Sequence, residues 1–207
     1  MNKPVIIIGG GGHAKVLIDS LKILKIRIIG ITENSKKDHI SEVKIIGYDD
    51  IILNYSTDEI ELVNGLGSIA TSKRRQLFET FKMQGYNFKS VIHPSTVIAQ
   101  DVDMAEGVQI MAGAVIQTGT SIGDNTIINT KASVDHDCKI GAHVHIAPGA
   151  TLSGGVQVGE GCHIGTGATI IQGVNIGKDS IIGAGAVVLN DVPAGVTVVG
   201  VPAKVVT

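Results

Sequence analysis

The residues best suited to do chemistry are a histidine and a carboxylate side by side, His136 and Asp137. An imidazole with a reference pKa of about 6.5 can accept and return a proton near neutral pH. A neighbouring carboxylate can orient the ring and raise its basicity. Because adjacent residues on a strand point to opposite sides, this pairing requires a turn. The pair therefore predicts a general base at a turn, and the alternative is a surface histidine.

Two more histidines follow closely, His143 and His145. Together with His136 they suggest three ligands for Zn²⁺, as in a metal-dependent carbonic anhydrase. No third ligand follows His143 and His145 at a spacing that fits the surrounding repeat, so we expect no metal site. A non-catalytic scaffold is a further alternative, because a repeat does not by itself imply catalysis.

An uninterrupted repeat of six residues surrounds these side chains. Aliphatic residues occupy every sixth position without insertion or deletion: Ile98, Met104, Ile110, Ile116, Ile122, Ile128, Val134, Ile140, Ile146, Leu152, Val158, Ile164, Ile170, Ile176, Ile182 and Val188. Glycine often follows the aliphatic residue, and a small residue often lies four positions after it. Neither a helix nor a meander has a period of six. We predict a β-solenoid whose units each give one short strand and one turn, with the aliphatic side chain inward and glycine relaxing the backbone angles.

The two cysteines, Cys138 and Cys162, lie at equivalent positions of this repeat. Two cysteines without a CxxC spacing form no disulfide framework. We predict that they are small buried side chains without a chemical role.

Residues 1–90 lack the repeat and read as an α/β unit. The apolar run Val5–Ile8 predicts a buried strand, Gly9–Ala14 fits the pattern G-x-G-x-x-G/A, and Lys15–Leu24 has helical spacing. A second strand is predicted at Arg27–Thr32. The helical positions expected to face the core are Val16, Leu17, Leu21 and Leu24. Glycines let the backbone approach a phosphate, and a helix N-terminus offers free N–H groups, so this half-Rossmann unit predicts a nucleotide site. The alternative is a tight turn without a ligand.

Further α/β structure is predicted downstream, with a strand at Ile60–Val63 and a helix at Ser72–Met83. Tyr86–Ile92 then leads into the solenoid. The expected domains are residues 1–90, an α/β unit that binds a nucleotide, and residues 91–207, the solenoid that carries His136 and Asp137.

Residues 91–204 resemble the hexapeptide-repeat acyltransferases, and Gly200–Lys204 resembles the closing motif of that family. With the glycine turn that ends in Gly12–His13, nearly the whole chain resembles the group of sialic acid O-acetyltransferases and bacterial nucleotide-sugar N-acetyltransferases. The resemblance implies an α/β half-Rossmann unit followed by a left-handed parallel β-helix, and a homotrimer. It also implies acetylation, by acetyl-CoA, of the 4-amino group of a UDP-, dTDP- or GDP-linked 4-amino-4,6-dideoxy sugar in surface glycan biosynthesis. O-acetylation of sialic acid or a related sugar is the alternative within enzymes.

The resemblance also implies a role for individual residues. His136 is the catalytic base and Asp137 its partner. Acetyl-CoA would contact His145, Gly154, Gly155, Thr166 and Ala184. The nucleotide sugar would contact Gly11, Gly12, His13, Glu33, Asn34, Gly67, Arg74 and Asn129. Glu33–Asn34 stands where the family often has two aspartates that read the base, and for Arg74 a solvated helix face is an equal alternative. His163 has no functional match and is expected at the surface.

Composition excludes several classes of function. The formal net charge is −2 and no basic block stands out, so we expect no nucleic-acid partner. No run approaches the roughly 20 apolar residues that span a bilayer. No signal peptide is apparent at the N-terminus, so we expect a soluble, cytoplasmic protein.

Overall fold

The computed structural model describes residues 3–34, 38–67 and 71–206, and the side chain of residue 71 is not described. The chain divides into two compact units, Met1–Pro94 and Ser95–Thr207. The division lies near the boundary expected between residues 90 and 91.

The first unit is built on a five-stranded sheet. Its strands are β1 (Val5–Ile8), β2 (Ile28–Thr32), β3 (His39–Ile40), β4 (Val43–Gly47) and β5 (Glu61–Asn64). Its helices are α1 (Gly12–Ile23), α2 (Thr71–Met83) and a 3₁₀ turn at Asp49–Asn54. The strand order is β3-β4-β2-β1-β5, parallel except that β3 runs antiparallel to β4. The fully buried β1 lies between two strands, as its uninterrupted apolar sequence requires.

Helix α1 buries one stripe of side chains, which differs in part from the expected one. The buried residues Ala14, Leu17, Ile18 and Leu21 follow the i, i+3, i+4, i+7 spacing of an amphipathic helix. Leu17 and Leu21 were expected there, whereas Val16 is 43% exposed. The sequence interpretation began the helix too late, so it missed Ala14 and set the stripe off by part of a turn.

The second unit is a triangular parallel β-helix. Its short strands form three sheets. The first sheet has Val97–Ile98, Val115–Ile116, Ser133–Val134, Thr151–Leu152, Thr169–Ile170 and Val187–Val188; the second has Asp103–Met104, Ser121–Ile122, Lys139–Ile140, Gln157–Val158 and Asn175–Ile176; the third includes Gln109–Ile110, Ile127–Ile128, His145–Ile146, His163–Ile164, Ile181–Ile182, Thr197–Val199 and Lys204–Val205. A further short strand, Val91–Ile92, precedes them. Up to Val187–Val188 the parallel strands pair at a spacing of eighteen residues, so three repeats make one coil.

The predicted aliphatic positions form the core of this β-helix. From Ile110 to Val188 each is at most 3% exposed, and only Ile98 and Met104, in the first coil, are partly exposed. The solenoid predicted from the six-residue period is therefore confirmed.

The glycines that follow the aliphatic residues were expected to relax the backbone angles, but they have a different structural role. At Gly141 the backbone is outside the left-handed region, but a Cβ there would lie 2.7 Å from the backbone nitrogen of Glu160 in the next coil. From Gly107 to Gly185 the left-handed residue comes two positions later in each repeat, as at Gly119 (φ 72°), Asp137 (φ 59°) and Gly155 (φ 70°). Close stacking of coils, rather than backbone angles, thus requires glycine directly after the aliphatic residue.

Both cysteines are fully buried and free, as predicted. The thiol of Cys138 donates to the carbonyl oxygen of Ser153 (3.3 Å), and that of Cys162 to the carbonyl oxygen of Gly177 (3.0 Å). Burial raises the pKa of both thiols, to about 11 for Cys162. Neither is poised to act as a nucleophile, since thiolates are the reactive form.

Within the described ranges, no helix has the length and apolar character needed to cross a membrane.

The two isoleucines of one strand provide a test of the inward face. Ile182 is fully buried and Ile181 is 45% exposed. We expect Ile182→Ala to lower the free energy of unfolding by about 2–5 kcal/mol, because it leaves a cavity between coils. Ile181→Ala should cost less than about 1 kcal/mol. Urea unfolding at matched protein concentration measures both, and equal losses would contradict this orientation of the strand.

Candidate active site

His136 and Asp137 occupy the turn between the strands Ser133–Val134 and Lys139–Ile140, so the turn that their pairing requires is present. The left-handed backbone of Asp137 allows its carboxylate to reach back, and His136 Nδ1 lies 2.8 Å from Asp137 Oδ2. A carboxylate only accepts hydrogen bonds, so the proton of the neutral ring is on Nδ1. The lone pair of Nε2 is then available on a side chain that is 57% exposed.

The surroundings of His136 favour its protonated form. The hydrogen bond to Asp137 is the main cause that raises the pKa of His136, and the charges of Asp135 and then of Asp137 add to it, whereas burial opposes the rise. Asp135 Oδ1 also accepts the backbone N–H of His136 at 2.8 Å. Asp135, which the sequence interpretation did not single out, thus helps to set both the backbone and the basicity at this turn.

Glycines one coil away make room for the pair. A Cβ on Gly154, eighteen residues after His136, would lie 2.5 Å from Cε1 and from Nε2 of the ring. A Cβ on Gly119, eighteen residues before Asp137, would lie 2.5 Å from its Oδ1. Gly119 was not predicted, although stepping one coil back from Asp137 identifies it.

His145 belongs to a separate polar cluster. Its Nε2 lies 3.1 Å from Nδ2 of Asn129, whose Oδ1 accepts the backbone N–H of Thr130 at 2.8 Å. The ring of His163 packs edge-on against His145, with centroids 5.2 Å apart. The expectation that His163 is a surface residue is wrong, because it is partly buried against His145.

No group of three or more His, Cys, Asp or Glu side chains in the described ranges is arranged to hold a metal ion. The amide Nδ2 of Asn125 faces His143 Nδ1 at 3.0 Å, just as Asn129 faces His145.

The predicted acetyl-CoA residues fall on two edges of the β-helix. Gly154 and Gly155 share with His136 and Asp137 the edge between the first and second sheets. Thr166 and Ala184 lie on the edge between the third and first sheets, and Asn129 lies there too. His145 is on the strand that leads to this second edge. One solenoid therefore does not bring all of these residues together.

In the first unit, the predicted nucleotide residues gather at the carboxyl edge of the parallel sheet. Gly11 and Gly12 follow β1, Glu33 and Asn34 follow β2, and Gly67 follows β5. A Cβ on Gly11 or Gly12 would meet no atom within 4 Å, so the space before the N-terminus of α1 is open. His13 lies beside Gly67, where an added Cβ would be 3.4 Å from that of His13. This edge is where ligands bind in open α/β sheets.

Glu33 contacts the glycine turn itself. Its Oε2 accepts the backbone N–H of Gly10 at 2.5 Å. The preceding Thr32 donates through Oγ1 to Asp49 Oδ1 at 2.6 Å. The carboxylate that was expected to read a base thus also holds the turn in place.

Arg74, on α2, is fully buried, so the alternative of a solvated helix face is wrong for this residue. Its carbonyl oxygen accepts from Asn64 Nδ2 at 2.9 Å. Burial lowers the pKa of the guanidinium to about 10, so it remains charged at neutral pH.

Comparisons with known proteins match both units. Residues 4–81 match the family described as the PglD N-terminal domain, and residues 119–154 and 155–190 match the bacterial transferase hexapeptide (six repeats). PerB from Caulobacter crescentus, solved with CoA and GDP-perosamine, is 40% identical with a TM-score of 0.93 over 99% of this chain and 97% of its own. This chain belongs to the hexapeptide-repeat acetyltransferases. The expected fold, an α/β unit followed by a left-handed parallel β-helix, is confirmed.

Two other hexapeptide-repeat acetyltransferases are similar. The acetyltransferase domain of PglB from Neisseria gonorrhoeae, solved with acetyl coenzyme A, is 35% identical with a TM-score of 0.95 over 100% of both chains. GDP-perosamine N-acetyltransferase of Escherichia coli O157:H7 is 40% identical over 88 residues, which are 42% of this chain and 40% of that protein. The match to this curated relative thus spans about two fifths of its length.

Proposed function

We propose that this protein transfers the acetyl group of acetyl-CoA to the 4-amino group of a nucleotide-linked 4-amino-4,6-dideoxy sugar. The observation that carries the proposal is the His136–Asp137 pair, 2.8 Å apart on an exposed turn of the β-helix. Relatives that cover nearly the whole chain bind CoA or acetyl-CoA, which supports this acyl donor.

The geometry of the His136–Asp137 pair supports the proton transfer that this reaction requires. Nε2 of His136 takes the proton from the amine as the nitrogen attacks the thioester carbonyl. The N–C bond forms, the C–S bond breaks, and the thiolate of CoA leaves and receives the proton. The carboxylate of Asp137 holds the Nδ1 proton and stabilises the imidazolium that forms transiently.

The nucleotide would bind at the carboxyl edge of the first unit, with its phosphates near Gly11, Gly12 and the N-terminus of α1. The open space before these glycines supports this position. A GDP-linked sugar is the first candidate, because GDP-perosamine is named for two relatives that are 40% identical.

A substrate panel tests the function. The purified protein is incubated with acetyl-CoA and GDP-, UDP- or dTDP-linked 4-amino-4,6-dideoxy sugars, with sialic acid as a hydroxyl acceptor. CoA release and the product mass are followed. We expect turnover of one amino sugar, with GDP preferred. Turnover of sialic acid alone would indicate an O-acetyltransferase. No turnover of any acceptor would favour a non-catalytic scaffold.

Glu33 gives a test of how the nucleotide site is built. Removal of its carboxylate by Glu33→Ala frees the N–H of Gly10, and we expect KM for the nucleotide sugar to rise about tenfold, as for loss of one charge-assisted hydrogen bond. Because Glu33 holds the turn, KM should rise equally for all three bases. Asn34→Ala is the neighbouring comparison. A changed order of preference among GDP, UDP and dTDP sugars in Glu33→Ala would instead assign Glu33 to base recognition.

The distribution of site residues over two edges supports a homotrimer. A ring of three β-helices places one edge of each against a different edge of the next, and such head-to-tail contacts close when the rotation is threefold. We propose that His136 of one subunit and His145 of the next serve the same site.

Mixed trimers test the shared site. We expect His136→Ala and His145→Ala proteins to be each almost inactive alone but active when co-expressed. With random mixing, half of the subunits offer an intact His136 and half an intact His145, so about a quarter of the sites are complete. Absence of recovery, or an active monomer by light scattering, would contradict the shared site.

A further inference from the structure

We propose that Asn129 fixes His145 as a neutral imidazole with its proton on Nδ1, so that His145 serves as a hydrogen-bond donor and leaves proton transfer to His136. The proton position follows from the hydrogen bonds alone. Its use in catalysis rests on the proposed function.

The first step is the orientation of the Asn129 amide. Oδ1 lies 2.8 Å from the backbone nitrogen of Thr130 and 3.3 Å from Thr130 Oγ1. A backbone N–H only donates, so the atom facing it must be the amide oxygen. The opposite amide orientation would place two donors against each other. Nδ2 is therefore the atom that faces His145.

The second step is the proton on the ring. Asn129 Nδ2 lies 3.1 Å from His145 Nε2 and only donates, so Nε2 must accept. A neutral imidazole with an accepting Nε2 carries its proton on Nδ1. Protonating Nε2 as well would set two donors against each other in a side chain that is only 3% exposed.

The third step is the contrast with His136. There the neighbour at Nδ1 is a carboxylate that favours the imidazolium, and the ring is exposed. At His145 the neighbour is an amide that donates, and the ring is buried. The hydrogen-bonding partner thus determines the role of each imidazole. A carboxylate at Nδ1 favours a general base, whereas an amide N–H at Nε2 leaves a neutral hydrogen-bond donor. Asn129 is in this sense a positioning residue.

Solid-state NMR of protein labelled with ¹⁵N-histidine tests the proton position, because protonated and unprotonated ring nitrogens give distinct signals. The spectrum of His145→Gln assigns the signals of His145. Near neutral pH we expect Nδ1 of His145 to be protonated and Nε2 unprotonated. In Asn129→Asp the carboxylate only accepts, so Nε2 should gain a proton. A proton on Nε2 in the wild type, or no change in Asn129→Asp, would overturn the proposal.

The chain offers a matched control in a second pair. Asn125 Nδ2 faces His143 Nδ1 at 3.0 Å, and Asn125→Asp keeps a residue type that tolerates its left-handed backbone (φ 53°). We expect this variant to alter the signals of His143 and leave those of His145 unchanged. A change at His145 in this variant would mean that its proton does not depend on Asn129 specifically.

Two amide substitutions test the use of the Nδ1 proton. The side-chain amide of His145→Asn places N–H near the position of Nδ1, whereas that of His145→Gln reaches the position of Nε2. We expect kcat/KM for acetyl-CoA to be about tenfold higher in the Asn variant, as for one retained hydrogen bond. Equal or reversed values would overturn the catalytic use of Nδ1. If the wild type turned over no acceptor, the proposed function would fail while the NMR result still decided the proton position.

Discussion

Replacing His136 by Ala is expected to lower kcat about 10²–10⁴-fold, the usual contribution of a general base. The lost group is Nε2, whose lone pair is free because Asp137 Oδ2 holds the proton of Nδ1 at 2.8 Å. KM for acetyl-CoA should change little, because the imidazole acts on the amine. Steady-state kinetics with the preferred amino sugar measure both constants.

The pH dependence of kcat/KM distinguishes a general base at position 136 from a residue with only a structural role. His136 works as a base only when neutral, and its pKa is raised, first by the hydrogen bond to Asp137 and then by the charge of Asp135. The kcat/KM of the wild type should therefore fall as the pH decreases through this raised pKa. Asp137→Asn removes the carboxylate, so the acid limb of the kcat/KM profile should move to lower pH. The maximal value of kcat/KM at higher pH should also decrease.

Two controls accompany His136→Ala. The side chain is 57% exposed, so the midpoint of thermal unfolding should match that of the wild type. Added free imidazole should restore part of the rate by filling the vacated space. A variant that keeps wild-type turnover, or an acid limb that does not respond to Asp137→Asn, would contradict the role of His136 as the base.

The β-helix could be predicted almost completely from the sequence because its fold is repetitive. Each repeat adds the same strand and turn, and the aliphatic residue at every sixth position stands at the same inward place. The turn at His136–Asp137 follows from this register, since Val134 and Ile140 fix the strands on both sides. The period therefore determines the position of the candidate base as well as the core.

The first unit was less predictable because its contacts are irregular. The hairpin of β3 and β4 and the 3₁₀ turn at Asp49–Asn54 were not predicted, since their short segments carry no clear periodicity. The hydrogen bond from the backbone N–H of Gly10 to the carboxylate of Glu33 joins residues 23 positions apart in the sequence. Only the parallel pairing of β1 with β2 brings these residues together. Side-chain partners of this kind depend on tertiary structure.

Gly154→Ala is expected to lower kcat about 10²-fold, the order of loss that a misplacement of about 1 Å can cause. The new Cβ would lie 2.5 Å from Cε1 and Nε2 of His136, so the ring must move away from its position beside Asp137. Gly154 is outside the left-handed region, so its backbone accepts alanine. The effect should therefore appear in activity rather than in folding. Kinetics together with urea unfolding measure the two separately.

Neighbouring positions make this prediction specific to the imidazole. Gly155→Ala is the converse case, because φ is +70° there and the added Cβ meets only the Cα of Gly173 at 4.0 Å. That variant should lose about 1–2 kcal/mol of stability from backbone strain. Gln172 is exposed at the same register one coil beyond Gly154, so Gln172→Ala should change neither activity nor stability.

In Gly154→Ala the displaced ring loses its carboxylate partner, so the acid limb of kcat/KM should shift to lower pH, as in Asp137→Asn. Full activity of Gly154→Ala would mean that the working position of the imidazole is not against this glycine.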